Sequence, residues 1–437
     1  TKTDADEFDL HTWKNENQQS LQYESKMPPL DDIANILYLT SLPDWKFVSD
    51  WYNDLATAKA RNNYEVKEVV RGLFEGSSNL SPLQKVEKIY QYITGTISYS
   101  SVSFRQSGLI PQNPADVINT RIGDCKDVST LFLAMCKEVG IKAQLVLVKT
   151  HNNGVMAMPL PSIDFNHCIA KVNLNNQEYY IELTSPYLPF RSLYNSSLNS
   201  TILDIGDSGS QTTVKYLNPA NRKINNTKRE VSIVFKDKDM VVSEKTYKTA
   251  ALAAYMRENL SDVSEKDRIK RMKEAIASTY PDVDIIKLKY NNEERINRTD
   301  TVYMNLVYSL KNHTKSIGGM SIFNLPWSSK ASAGDLQVNP PRYSGIDLTQ
   351  MFFMDSDLET ITINLIPGKS IVEAVPPVSI SNEFIEYSII PKQTGNKLVL
   401  TRTFKLKKDF VPADKTELFN AAFKQIVETD NKELAMR

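Results

Sequence analysis

The sequence predicts an α+β protein in which a helix carrying a cysteine on its first turn packs on an antiparallel sheet, with β-rich segments after it. Three observations carry this expectation. Residues 121–140, RIGDCKDVSTLFLAMCKEVG, read as one capped amphipathic helix; residues 166–184 read as a β-hairpin; and strand-like alternation recurs from about residue 211 onward.

The helix is marked at both ends. Asp124 suits the N-cap, Asp127 three residues on makes a short relative of the capping box, and both acids favour the positive helix end. Cys125 then takes the first helical position. Val128, Leu131, Phe132, Met135 and Val139 give one apolar face, and Gly140 stands where a left-handed C-terminal cap is expected. A thiolate at a helix N-terminus meets unpaired backbone N–H groups and the helix dipole, which bring a thiol from about 8.5 into roughly 3.5 to 7.5. It is then nucleophilic near neutral pH. Taken alone, the helix reads better as holding a buried, inert cysteine, the ordinary state of a free thiol.

The hairpin bears on that choice. Strands at 166–174 and 177–184 flank Asn175-Asn176, and Asn tolerates the positive φ of a two-residue turn. Such a turn pairs Leu174 with Gln177 and Val172 with Tyr179. Continued outward, His167 comes opposite Thr184, and His167 and Glu182 lie diagonally on one face. A three- or five-residue loop would set them on opposite faces. Cys168 points away from His167.

Gly-Asp-Cys-Lys-Asp at 123–127, Phe-Asn-His at 165–167 and Tyr-Ile-Glu-Leu-Thr at 180–184 resemble the transglutaminase-like superfamily of papain-like folds, and more closely its bacterial branch with flanking β-rich domains of unknown function. The resemblance implies a nucleophile at Cys125, a general base at His167 and an orienting acid at Glu182. It departs from the pattern at the third position, where Asp is usual; Glu is one methylene longer and still accepts from an imidazole. It also implies an exported location, periplasmic or at the cell surface.

Composition excludes some classes. The 437 residues suggest about three domains. Lys and Arg number 52 and Asp and Glu 52, so net charge offers no reason to expect nucleic acid as a partner. Three cysteines, Cys125, Cys136 and Cys168, do not make a disulfide framework. No apolar run approaches the roughly 18 residues of a membrane span. Composition is silent on oligomeric state.

Along the chain, residues 1–42 are polar and loop-like and resemble the tail of an N-terminal β-rich domain with its linker. Residues 43–205 form the core with a helical lead-in: Trp45, Val48, Tyr52, Leu55 and Ala58 keep helical spacing as a packing stripe, and Ser81-Pro82-Leu83-Gln84 is a capped helix start ended by Gly95. Within the loop 99–112, Tyr99 or Gln112 is a candidate side-chain donor to an oxyanion, beside the backbone N–H of Cys125. Residues 143–149 read as a strand, and 151–161 as a connector or a lid. Gly206-Asp207-Ser208-Gly209-Ser210 imitates a serine-protease motif but reads better as a loop leaving the core. Residues 206–345 then form a mixed β/α unit, with one long or two short helices over 252–280, and 346–437 a β-rich unit with a closing helix.

Two functions follow as expectations. One is a cysteine hydrolase or transglutaminase-like enzyme: Cys125 attacks an amide carbonyl of a peptide or protein substrate, His167 manages the proton and Glu182 orients His167. The other is an inactive member that keeps the fold and binds or scaffolds a protein or peptide partner. Metal-ligand spacing is lacking, and no phosphate or dinucleotide loop occurs, so no cofactor is expected.

Overall fold

The computed structural model describes residues 2–5, 8–18, 20–59, 64–77, 79–100, 108–154, 158–217, 225–293, 300–328, 342–350 and 356–437. The chain enters through a hairpin, β1 (Lys2–Ala5) and β2 (Phe8–His11), and a short helix, α1 (Leu30–Ile33). Three helices follow: α2 (Trp45–Thr57), α3 (Tyr64–Phe74) and α4 (Pro82–Thr96). Ser81 and Gln84 cap α4 by reciprocal bonds. Gly95 does not end it, because it stays out of the left-handed region and the helix continues to Thr96.

The core continues with β3 (Ser98–Tyr99), α5 (Pro114–Thr120), β4 (Ile122–Gly123), α6 (Cys125–Glu138), β5 (Ala143–Lys149), β6 (His167–Leu174), β7 (Gln177–Ile181), β8 (Thr201–Asp204) and β9 (Lys215–Tyr216). Five strands make one antiparallel sheet in the order β7-β6-β5-β8-β9. Val128, Leu131, Phe132 and Met135 of α6 bury against Ala170 and Val172 of β6 and against Val86, Ile89 and Ile93 of α4. A second apolar cluster sets Val48, Tyr52 and Ala56 of α2 on Leu145, Leu147 and Cys168, so the helical stripe is packing. The loop at 206–210 closes on α2: Gly206 N–H donates to Ser49 Oγ at 3.2 Å and Gly209 N–H to Asp50 Oδ1 at 3.0 Å.

Beyond the core come β10 (Asn226–Lys236), β11 (Asp239–Thr249), α7 (Ala250–Leu260), α8 (Glu265–Ala277), β12 (Val283–Asn291), β13 (Thr301–Leu310), β14 (Lys315–Ile317), β15 (Met320–Asn324) and β16 (Ile346–Asp347). The chain finishes with β17 (Ser356–Asn364), β18 (Val378–Ser381), β19 (Ile385–Thr394), β20 (Lys397–Leu406), β21 (Phe410–Val411), α9 (Thr416–Asp430) and β22 (Glu433–Met436). The stretch 252–280 is two helices, separated at Asp262 with φ of 56°.

The expected division at 345/346 does not separate two sheets. Strands from both sides build one eight-stranded sheet, β12-β13-β11-β10-β17-β20-β19-β18, in which β10 and β17 pair in parallel from Asn226↔Ser356 to Val234↔Asn364. The cause is burial: Val231 and Ile233 share a core with Ile361, Ile363, Leu398 and Leu400, roofed by Phe419, Phe423 and Ile426 of α9. Ions reinforce it. Arg229 pairs with Glu244 and Glu359, and Arg402 reaches Glu359 at 2.8 Å and Asp430 at 2.9 Å. Gly345 packs so closely on Phe410 and Val411 that a Cβ would not fit.

Polar contacts tie the N-terminal segment and the core to residues 343–349. Glu24 accepts from the N–H groups of Tyr343 (3.0 Å) and Ser344 (2.8 Å), and Lys26 O accepts from Asp347 N–H at 2.8 Å. His151 Nε2 lies 2.9 Å from Asp347 Oδ2 and 2.9 Å from Thr349 Oγ1. Burial disfavours the His151 cation, but the bond to Asp347 and its charge prevail and raise its pKa. Burial likewise opposes the Asp347 anion, yet its bonds to His151 and Thr349 lower its pKa. Stability from the pair is therefore full between about pH 4 and 6.5, is lost as pH rises through the raised His151 value, and is lost on acidification through the lowered Asp347 value. Asp347→Asn should speed amide exchange over residues 150–154 most inside that window, and hydrogen exchange followed against pH measures it.

Candidate active site

The site begins at the start of α6. Asp124 is the N-cap and Cys125 is the first helical residue. The capping box is complete: Asp127 N–H donates to Asp124 Oδ1 at 3.2 Å, and Asp124 N–H to Asp127 Oδ2 at 3.0 Å. Asp127 also accepts from Gln112, from its backbone N–H at 2.7 Å and its side-chain Nε2 at 2.7 Å. The second oxygen of Asp124 pairs with the buried Lys126. At the far end Gly140, φ +75°, completes a Schellman motif in which Ile141 N–H reaches Cys136 O (2.9 Å) and Gly140 N–H reaches Lys137 O (3.1 Å).

The hairpin supplies the other two groups. Asn175 and Asn176 have φ of 54° and 62°, as a two-residue turn between right-twisted strands requires. Leu174 pairs with Gln177 and Val172 with Tyr179. The parity thus brings His167 and Glu182 to one face, with His167 Nε2 2.8 Å from Glu182 Oε2. Glu182 Oε1 accepts from Thr184 twice, from its N–H at 3.1 Å and its hydroxyl at 2.7 Å. The His167 side chain is 15% exposed and that of Glu182 only 1%.

A carboxylate this deep stays ionised only if donors surround it. Burial pushes Glu182 toward its neutral form, but the His167 charge and the bonds from His167 and Thr184 outweigh it and hold its pKa low. Burial also opposes the imidazolium of His167; the Glu182 charge and hydrogen bonds to Cys125 and Glu182 prevail and raise its pKa to about 10. With Nε2 given to Glu182, Nδ1 is the ring atom left for the thiol. Cys125 is half-buried, whereas Cys136 and Cys168 are buried. Burial raises the thiols of Cys136 and Cys168, and the charge of Cys125 raises Cys168 further.

The two oxyanion candidates separate. Gln112 spends its amide on Asp127, with Ile122 O at 3.5 Å. Tyr99 stands beside Gly123 through the β3–β4 pairing and is 45% exposed. Burial and the charges of Cys125, Asp124 and Glu182 push its hydroxyl up to about 12, so it remains a donor through neutrality. Residues 101–107 of the same loop, and 155–157 of the connector or lid, lie outside the described residues. Among the described residues, no group of three His, Cys, Asp or Glu is arranged to hold a metal ion, and no helix is long and apolar enough to cross a membrane.

A capped thiol helix against a sheet that carries His and acid defines a papain-like, transglutaminase-like core. Comparison agrees: residues 67–182 match the model of the transglutaminase-like superfamily, a span that includes Cys125, His167 and Glu182. Residues 342–436 match a domain of unknown function with a solved structure, DUF3858. Among solved structures the chain is similar to a "putative protease" from Parabacteroides distasonis, with a TM-score of 0.56 and 13% identity over 95% of this chain. It spans 63% of that protein's length, and at this identity the likeness is one of fold. A "putative cysteine protease" from Cytophaga hutchinsonii aligns over 43% of this chain and 56% of its own, with 16% identity and a TM-score of 0.22, which carries no structural argument. No curated protein matches.

Sequence reasoning assigned no role to Thr184 or Lys126. Thr184 was placed opposite His167 by the hairpin register, and the signal for its bond to Glu182 is its hydroxyl two residues past that acid, a spacing at which a side chain reaches back. Removing the carboxylate that joins loop and helix should disturb both: Asp127→Ala should lower stability by about 2 kcal/mol, read by urea unfolding, because buried donors lose their acceptor.

Proposed function

We propose that this chain is a thiol-dependent acyl-transfer enzyme acting on amide bonds of a peptide or protein, with Cys125 as nucleophile, His167 as general acid–base and Glu182 as the acid that orients it. The observation that carries the reading is the chain of contacts from half-buried Cys125 through His167 to Glu182, 2.8 Å beyond it and buried. The superfamily match over residues 67–182 supports it.

The chemistry follows in balanced steps. His167 takes the thiol proton of Cys125, and its imidazolium is favoured by the Glu182 charge and by hydrogen bonds to Cys125 and Glu182. The thiolate adds to the carbonyl carbon, and the oxygen takes the electron pair. The backbone N–H of Cys125, with Tyr99 as the remaining side-chain candidate, meets that oxyanion. His167 gives its proton to the departing amine and a thioester forms. Water, or an amine, gives its proton to His167, attacks the thioester and releases the thiol. Glu182 stays ionised throughout and fixes the ring. The exported location implied by the resemblance belongs to the same proposal, and cell fractionation tests it.

Iodoacetamide alkylation, read by peptide mass spectrometry, tests the central claim with Cys136 and Cys168 as controls. Cys125 should react fastest, and His167→Ala should slow it by about tenfold or more at pH 6. Glu182→Gln should lower turnover of a peptide amide by about 10² to 10⁴-fold while substrate affinity changes little. A Cys125 that reacts as slowly as the controls, indifferent to His167, would defeat the enzyme reading and leave a binding or scaffolding protein.

A further inference from the structure

We propose that Thr184 is a positioning residue, one that sets the rotamer of Glu182 and so makes the longer acid work where the superfamily pattern has aspartate. The inference rests on the proposed role of the Cys125–His167–Glu182 group and deepens it. A glutamate has one more torsion than an aspartate, so a buried carboxylate on its end needs more than one partner to keep a single orientation. Here the two oxygens are divided. Oε2 faces His167 Nε2 at 2.8 Å, and Oε1 takes both donors of Thr184, at 2.7 Å from the hydroxyl and 3.1 Å from the N–H. Three donors around one carboxylate fix both its plane and its reach.

Thr184 is itself braced from behind. The next residue, Ser185, accepts from Tyr194 hydroxyl at 2.6 Å and from Tyr187 N–H at 3.2 Å. Tyr187 hydroxyl donates to Ser261 Oγ at 2.5 Å, and the Tyr194 ring lies 5.2 Å from that of Tyr255 in α7. The buried Arg257 of α7 reaches Asn292 O at 3.1 Å and Tyr187 O at 3.4 Å. The turn after Glu182 is thus pinned by a helix of the segment that follows the core.

The readout is the low-field proton resonance of His167 Nε2–H in its bond to Glu182, identified by its loss in His167→Ala. On acidification it disappears as Glu182 takes a proton. In Thr184→Val, which keeps the shape and the backbone donor but removes the hydroxyl, the resonance should shift and the pH of its disappearance should rise by about 0.5 to 1 unit. Thr184→Ser should restore both. In a Glu182→Gln background, Thr184→Val should leave the His167 ring resonances where that background puts them. A Thr184→Val chain that does not fold is replaced by Thr184→Ala, which avoids the added methyl group. An unchanged resonance and acid limit in a folded hydroxyl-free variant would overturn the proposal. Because the signal needs no substrate and no turnover, it still answers for Thr184 if alkylation of Cys125 removes the enzyme reading.

Discussion

The carboxylate of Asp127 governs the geometry on which the rest of the site depends. It accepts from Asp124 and twice from Gln112, and so joins the loop before α5 to the first turn of α6. Cys125 has no freedom of placement once that carboxylate is satisfied. The thiol stands at the first helical residue because capping demands are met one residue earlier and two residues later. A structural requirement common to helices here sets the position of a half-buried cysteine.

The partner of that helix is built on different physics. Parity in a two-stranded ribbon decides which side chains share a face, and the two asparagines at the turn decide the parity. His167 and Glu182 are then kept ionised by each other in a place where neither alone would be stable as an ion. The arrangement costs solvation and yields an imidazole held in one orientation.

Much of this was legible in the sequence because it is local. The cap, the apolar stripe of α6, the Schellman glycine and the hairpin register all depend on residues within about twenty positions, and pattern rules address that range. Gln112 was misjudged in emphasis because its partner, Asp127, is reached through a loop whose path has no periodicity. The single large sheet was missed for a related reason. Strands β10 and β17 each alternate correctly on their own, but nothing in either names its neighbour, and parallel pairing between distant segments leaves no turn to read. Gly345, just before the start of the last unit, is where two segments approach closely, against Phe410 and Val411.

That parallel pairing has a consequence for synthesis. β10 leaves the ribosome with β11 and β13 to follow on one side, while its other edge waits for β17, whose first residue, Ser356, is 120 positions beyond Lys236. At about 5 to 20 residues per second, the delay is on the order of ten seconds. During it the nascent chain presents one unpaired edge of β10, with Val231 and Ile233 on its apolar side, the kind of edge that recruits other strands. The candidate catalytic core is complete in sequence before that interval begins, whereas the large sheet is exposed to misassembly until about the last fifth of the chain arrives.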